Sequence, residues 1–155
     1  MEYLVRAARV TDIDRFVALS DPSVRLDRGE RPLGAADLLR QLVYLPQASI
    51  FVAEARKTVV GGAILALRPS VRAGGYVGTV DLLVVDPAYD VERISAALLE
   101  EVLRSASNKG CTVVEAVRPD DAATLSRWDR MGFAPAGPHI QRAVTAAGVA
   151  ARPSR

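Results

Sequence analysis

The stretch that decides the fold is Tyr76–Val117, YVGTVDLLVVDPAYDVERISAALLEEVLRSASNKGCTVVEAV. Gly78–Val85 is apolar and rich in β-branched residues, the composition of a strand. Asp86-Pro87-Ala88-Tyr89-Asp90 carries turn chemistry. From Val91 to Lys109 the apolar positions change to helical spacing: Val91, Ile94, Leu98, Val102 and Ala106 share one stripe, with Ser95, Leu99 and Leu103 beside it. Gly110 tolerates the left-handed dihedrals that end a helix. Cys111–Val117 is again apolar and β-branched. Strand, helix and strand of these lengths make a crossover unit between parallel neighbours. The helix start, Tyr89–Ala97, then points beyond the end of the first strand. First-turn amides lack internal partners and the helix dipole is positive there, so such a start favours anions.

Upstream of this unit, Tyr3–Ala7 is a short strand. Thr11-Asp12-Ile13-Asp14 opens a helix, with Thr11 as the expected cap and Asp14 completing a capping box three residues on. Ile13, Phe16, Val17 and Ser20 supply its inner face. Asp21–Gly34 is polar and reads as a loop. Ala35–Tyr44 is a second amphipathic helix, with Leu38, Leu39 and Leu42 inward and Pro46 beyond its end. Ser49–Ala55 and Val59–Leu67 pair as an antiparallel hairpin across the turn Arg56-Lys57-Thr58, and Gly61-Gly62 marks a bulge or a close approach. Pro69–Gly75 is a loop. Downstream, Asp120 or Asp121 caps a last helix, Ala122–Met131, which Gly132 ends. Phe133–Gly137 leads to a final strand, His139–Ala146. The expected order is β-α-α-β-β-β-α-β-α-β: an α/β domain with a mixed, mostly antiparallel sheet and a central parallel crossover. Residues 1–147 form a single domain on this reading, and 148–155 a disordered basic tail.

Composition narrows the function classes. Of 155 residues, half are hydrophobic and a quarter charged, as in an ordinary globular domain. The net charge is +2, and without the three arginines beyond Gln141 it falls below zero. That balance argues against nucleic acid or a membrane surface as partner. A single cysteine cannot make an internal disulfide, no apolar run reaches a membrane span, and the first residues lack a signal-peptide layout; the expected location is the cytoplasm. Metal-ligand spacings and nucleotide-binding glycine fingerprints are absent, so no metal site is expected.

In element order and in four local motifs the chain resembles the GNAT superfamily of N-acetyltransferases, from Val5 to about Val144. Val5-Arg6-Ala7-Ala8 with Thr11-Asp12-Ile13 resembles the family's opening strand and helix. Asp81-Leu82-Leu83-Val84-Val85-Asp86-Pro87-Ala88-Tyr89 resembles its fourth strand and the following turn, and Ala96-Ala97-Leu98-Leu99-Glu100 the body of its long helix. Trp128-Asp129-Arg130-Met131-Gly132-Phe133 resembles its late signature, an aromatic residue ahead of a Gly-Phe pair. The resemblance implies acetyl-CoA as co-substrate. In the family the fourth strand splays from the fifth and pairs with the pantetheine arm, while the turn and helix start cradle the pyrophosphate. Carried onto this chain, the cofactor-binding positions are Leu83, Val84, Val85, Val91, Arg93, Ile94, Ser95, Ala96 and Asp121.

The family's phosphate pattern, Arg/Gln-x-x-Gly-x-Gly/Ala, is altered here to Asp90-Val91-Glu92-Arg93-Ile94-Ser95. Asp90 replaces the basic residue, Arg93 the first glycine and Ser95 the second. Asp90 is a strong N-cap, worth ~1 kcal/mol to the helix, and it competes with a phosphate for the same amides. Arg93 offers a compensating bidentate donor if it reaches back. A helix start simply capped and self-paired explains the same residues.

The resemblance also assigns chemistry. A carboxylate on the fourth strand serves the family as base, and Asp81 stands there; as a bare strand residue it reads as an outward-facing acid. The family's thiolate acid, a tyrosine four before the Gly-Phe glycine, is Trp128 here, and indole cannot give up a proton near neutral pH. Trp128 therefore reads as a packed aromatic, and Asp121 doubles as a helix cap. His139 has no evident partner. Cys111 reads as a small buried residue rather than a nucleophile. The Arg25–Arg31 loop reads as solvated. Two functions remain open: acetyl transfer from acetyl-CoA to a primary amine of a small molecule or protein, or a non-catalytic module of this fold that has lost acetyl-CoA and serves in binding. Either leaves room for a homodimer.

Overall fold

The structure, a computed structural model, describes residues 1–20, 35–137 and Arg142. The expected strand His139–Ala146, apart from Arg142, the tail and the loop 21–34 lie outside the described residues. Two compact units are present, Met1–Val117 and Arg118–Arg155.

The first unit holds β1 (Leu4–Ala7), α1 (Ile13–Ser20), α2 (Ala35–Leu42), β2 (Ala48–Ala55), β3 (Thr58–Ser70), β4 (Gly75–Val85), α3 (Val91–Asn108) and β5 (Cys111–Ala116). One sheet runs β1-β2-β3-β4-β5. Its first three pairings are antiparallel and β4–β5 is parallel, as the crossover reading requires. The β3–β4 hairpin is longer than the sequence suggests. β3 continues through Pro69 to Ser70 and β4 begins at Gly75, because beyond Ala66 β3 pairs with β4 alone and a proline is tolerated where one ladder is missing.

Gly61 and Gly62 explain how helices cover both faces. Successive strand residues point to opposite faces. A Cβ on Gly62 would lie 2.1 Å from the Phe16 ring of α1, and one on Gly61 3.0 Å from Ile94 and 3.2 Å from Leu98 of α3. Each missing side chain thus admits one helix. On one face Ile13, Phe16 and Leu39 pack with Ile50, Val52, Ile64 and Val84. On the other, α3 buries Ile94, Ser95, Leu98, Leu99, Val102 and Ala106. Both glycines stay paired, with Ala53 and Val52, and the bulge falls one residue before them, where the β2–β3 register skips Val60.

Two local expectations change. The first turn before α1 is a 3-10 turn, Val10–Asp12, and Thr11 does not cap it. Asp12 does: it accepts the Arg9 amide at 2.7 Å and is buried, held bidentately by Arg6 at 2.8 and 3.0 Å. Arg6 also binds Glu54. A charged carboxylate with a guanidinium partner accepts more strongly here than a hydroxyl would. Asp14 instead meets Arg40 of α2 at 2.9 Å. In the β2–β3 turn, Arg56 and Lys57 both have positive φ, 48° and 66°. Such dihedrals suit a two-residue hairpin loop but usually call for Asn-Gly.

The second unit carries α4 (Ala122–Arg130), capped by Asp121 through the Thr124 amide at 2.7 Å. Gly132, at φ +90°, turns the chain so that Phe133 donates its amide to the Trp128 carbonyl at 3.1 Å and Gly132 donates to Asp129 at 3.0 Å. The two rings then meet edge to face, 4.8 Å apart. This is the hydrogen-bonding and hydrophobic pairing of a Schellman end.

Candidate active site

The site begins with an irregularity in β4. Leu65 faces Val80 and Ile64 faces Leu82, so Asp81 is an extra, unpaired residue. A bulge bends its strand and sharpens its twist. The parallel ladder to β5 stops at that point, with Val80 and Ala116 as its last pair. From Asp81 to Val85, β4 therefore follows β3 and parts from β5. Asp81 is exposed at the fork.

Main-chain directions beyond the fork follow from one hydrogen bond. Asp86 donates its amide to the Val60 carbonyl at 2.8 Å. Alternation along the strand turns the groups of Val84 and Leu82 the same way, toward β3. Those of Leu83 and Val85 face the opening left by β5. An unpaired strand edge accepts an extended, amide-bearing ligand much as it accepts another strand. The residues fit an acyl-CoA arm in this respect.

The turn after β4 is tightly fixed. Asp86 accepts the Ala88 amide on its carboxylate at 3.0 Å and the Tyr89 amide on its carbonyl at 3.1 Å. The helix start is shared with the protein's own acid. Asp90 caps α3, its carboxylate accepting the Arg93 amide at 3.1 Å. The Arg93 side chain reaches the N-terminal strand rather than back over the helix start: it donates to the Met1 carbonyl at 2.7 Å and lies 5.2 Å from the Tyr3 ring centre. Val91 is half-buried, Ala96 exposed, and Ile94 and Ser95 are fully packed beneath α3. Ser95 thus serves as a small residue under the helix. Asp121 belongs to the second unit, where hydrogen bonds from Thr124 hold its carboxyl below the usual range.

Cys111 is half-buried; burial pushes its thiol up, against a smaller opposing pull from Lys109. That is the wrong direction for a nucleophile. Among the described residues no cluster of acids, histidine and cysteine forms a metal site, and no helix is long and apolar enough to cross a membrane. His139 lies outside the described residues. A surface cleft of 280 Å³ lies between Ala7, Val43, Ser49, Phe51 and Ser105. Ser105 is near the far end of α3, roughly 20 Å along the helix from Val91.

The sequence reading missed the Arg6–Asp12–Glu54 cluster and a contact from Arg15 of α1 to Asp86 at 3.0 Å. Both join residues far apart in the chain, and no local pattern signals them.

The model of the acetyltransferase (GNAT) family matches residues 11–133. Among curated proteins none matches. Similar solved structures include a transcriptional regulator from Bacillus halodurans C-125, with a TM-score of 0.75 and 18% identity over 90% of this chain and 98% of that one. An aminoglycoside acetyltransferase from an uncultured soil metagenomic sample gives 0.74 and 14%, covering 92% and 97%. Glucosamine-6-phosphate N-acetyltransferase from Arabidopsis thaliana gives 0.71 and 13%, covering 91% and 97%. At such identities the likeness carries the fold, whereas the family match spans most of the sequence. The chain belongs to the GNAT family of acetyltransferases.

Proposed function

We propose that this chain transfers an acetyl group from acetyl-CoA to a primary amine of a small molecule or protein. The observation that carries the proposal is the fork at Asp81: a carboxylate stands where β4 leaves β5, and unpaired main-chain groups follow it. Acetyl-CoA supplies the thioester acetyl group. Leu83 and Val85 hold its extended arm through their main-chain groups on the β4 edge, an amide there donating to the thioester carbonyl, while Val84 between them ties β4 to β3. Val91, Arg93, Ile94, Ser95 and Ala96 form the helix start beside the pyrophosphate. Asp81 accepts the proton that the acceptor ammonium must lose, directly or through water. The C–N bond forms and the C–S bond breaks; CoA leaves as the thiolate, and the second N–H proton passes to it or to solvent, since the Trp128 indole gives up none.

The similar structures include an aminoglycoside acetyltransferase and a glucosamine-6-phosphate N-acetyltransferase, so they select no single acceptor. The test is acetyl-CoA-dependent acetylation across a panel of primary amines, with Asp81→Asn beside the wild type. A loss of about 10²-fold or more in kcat at unchanged acetyl-CoA affinity is expected from removal of a general base. Equal turnover by Asp81→Asn refutes the assignment of Asp81.

A second reading, a binding module that no longer takes acetyl-CoA, is favoured by one observation. The Asp90 carboxylate already occupies the Arg93 amide, and the Arg93 side chain is engaged by Met1 and Tyr3. A wild-type chain with no affinity for acetyl-CoA would establish it.

A further inference from the structure

We propose that Arg15 is a positioning residue for acetyl-CoA, acting from α1 through Asp86 on the turn that aims α3. The inference rests on the reading that β4 and the helix start receive the co-substrate.

Arg15 makes two contacts with two different segments. Its Nε donates to the Val59 carbonyl at 3.1 Å and its Nη2 to the Asp86 carboxylate at 3.0 Å. Val59 sits beside the β3 bulge, where the β2 ladder skips Val60. Asp86 is the hub of the turn. One carboxylate oxygen takes Arg15 and the other takes the Ala88 amide; its own amide goes to Val60, and its carbonyl takes Tyr89. The path from Val85 to the cap at Asp90 is therefore set by a side chain 71 residues away in sequence. α1 is itself fixed from its other neighbour, since Arg40 of α2 binds Asp14. The brace joins the early helices to the segment that must meet the phosphates.

Charge points the same way. Asp86, Asp90 and Glu92 crowd acids around the expected anion. Arg15 neutralises the first of them. Its removal both frees the turn and uncovers a negative charge near a phosphate. The side chains are 43% and 19% exposed, so the contact contributes little to global stability. Its effect should appear locally.

The experiment compares wild type, Arg15→Ala and Arg15→Lys. Calorimetric titration with acetyl-CoA should give a Kd raised about fivefold to tenfold in Arg15→Ala, with most of it recovered in Arg15→Lys, which keeps the charge. Amide hydrogen exchange without ligand should accelerate at Ala88 and Tyr89 in Arg15→Ala, leaving Ala63 and Leu65 of the core unchanged. Wild-type binding with an unaltered Kd in Arg15→Ala overturns the brace alone, as does unchanged exchange at Ala88 and Tyr89. Equal losses in both variants, with a general drop in melting temperature, reduce Arg15 to a structural role. No binding by wild type overturns the proposal through the reading beneath it.

Discussion

Substituting Asp90 by asparagine separates two roles that one carboxylate combines. Asparagine keeps an acceptor for the Arg93 amide and caps helices about as well as aspartate. It removes the charge. In the structure the carboxylate oxygen is 3.1 Å from that amide. A phosphate oxygen bound to the neighbouring first-turn amides at ~2.9 Å places the two charges roughly 4–6 Å apart. At about 5 Å, repulsion is ~0.8 kcal/mol in water and ~3 kcal/mol at an effective dielectric near 20. An exposed, partly screened pair falls toward the lower figure, so Asp90→Asn should tighten acetyl-CoA by about fivefold at low salt. Near 1 M salt, where the screening length is about 3 Å, the gain should vanish. The melting temperature should fall by no more than about 4 °C, from the lost charge–dipole attraction. Calorimetry at two ionic strengths and a thermal scan suffice. Affinity that is unchanged or weaker at low salt would refute the reasoning, because the acid would then not oppose the ligand.

Two further outcomes concern the frame that holds the site. Gly62→Ala puts a methyl 2.1 Å from the fully buried Phe16 ring. Overpacking of this kind costs about 3 kcal/mol, read as a lower urea midpoint; a change below about 0.5 kcal/mol would mean that α1 does not press on β3 there. The Arg6 guanidinium holds the Asp12 carboxyl below its usual value of 3.8, against an opposing effect of burial. Its stabilisation is present above that value and lost as pH falls through the depressed one, so the wild type should lose stability progressively below about pH 4. Asp12→Asn should flatten that slope, and parallel slopes would remove Asp12 from the acid response.

How much of this could be seen in the sequence depended on range. The switch in apolar spacing at Val91 located α3 to within a residue, and Gly110 marked its end, because both signals are local. Gly61-Gly62 announced the close approaches, while the bulge falls one residue earlier, at Val60. Asp90 was readable as a cap, and it is one. The bulge at Asp81 was not readable: an extra residue in an apolar strand leaves the composition unchanged, and only the β3 register exposes it. The Asp12 cap was assigned to Thr11 because the partner that favours the carboxylate, Arg6, lies on another element. Nor does any spacing tell that Arg93 turns toward Met1, or that Arg15 and Asp86 meet.

The claim at the centre is that the parted edge of β4 and the start of α3 receive acetyl-CoA. An NMR titration of labelled protein tests it most directly. Saturable amide shifts at Leu83, Val85 and Val91–Arg93 are expected, with little change at Ala48–Phe51 around the distant cleft. No shift at millimolar acetyl-CoA, or shifts confined to that cleft, would contradict the account.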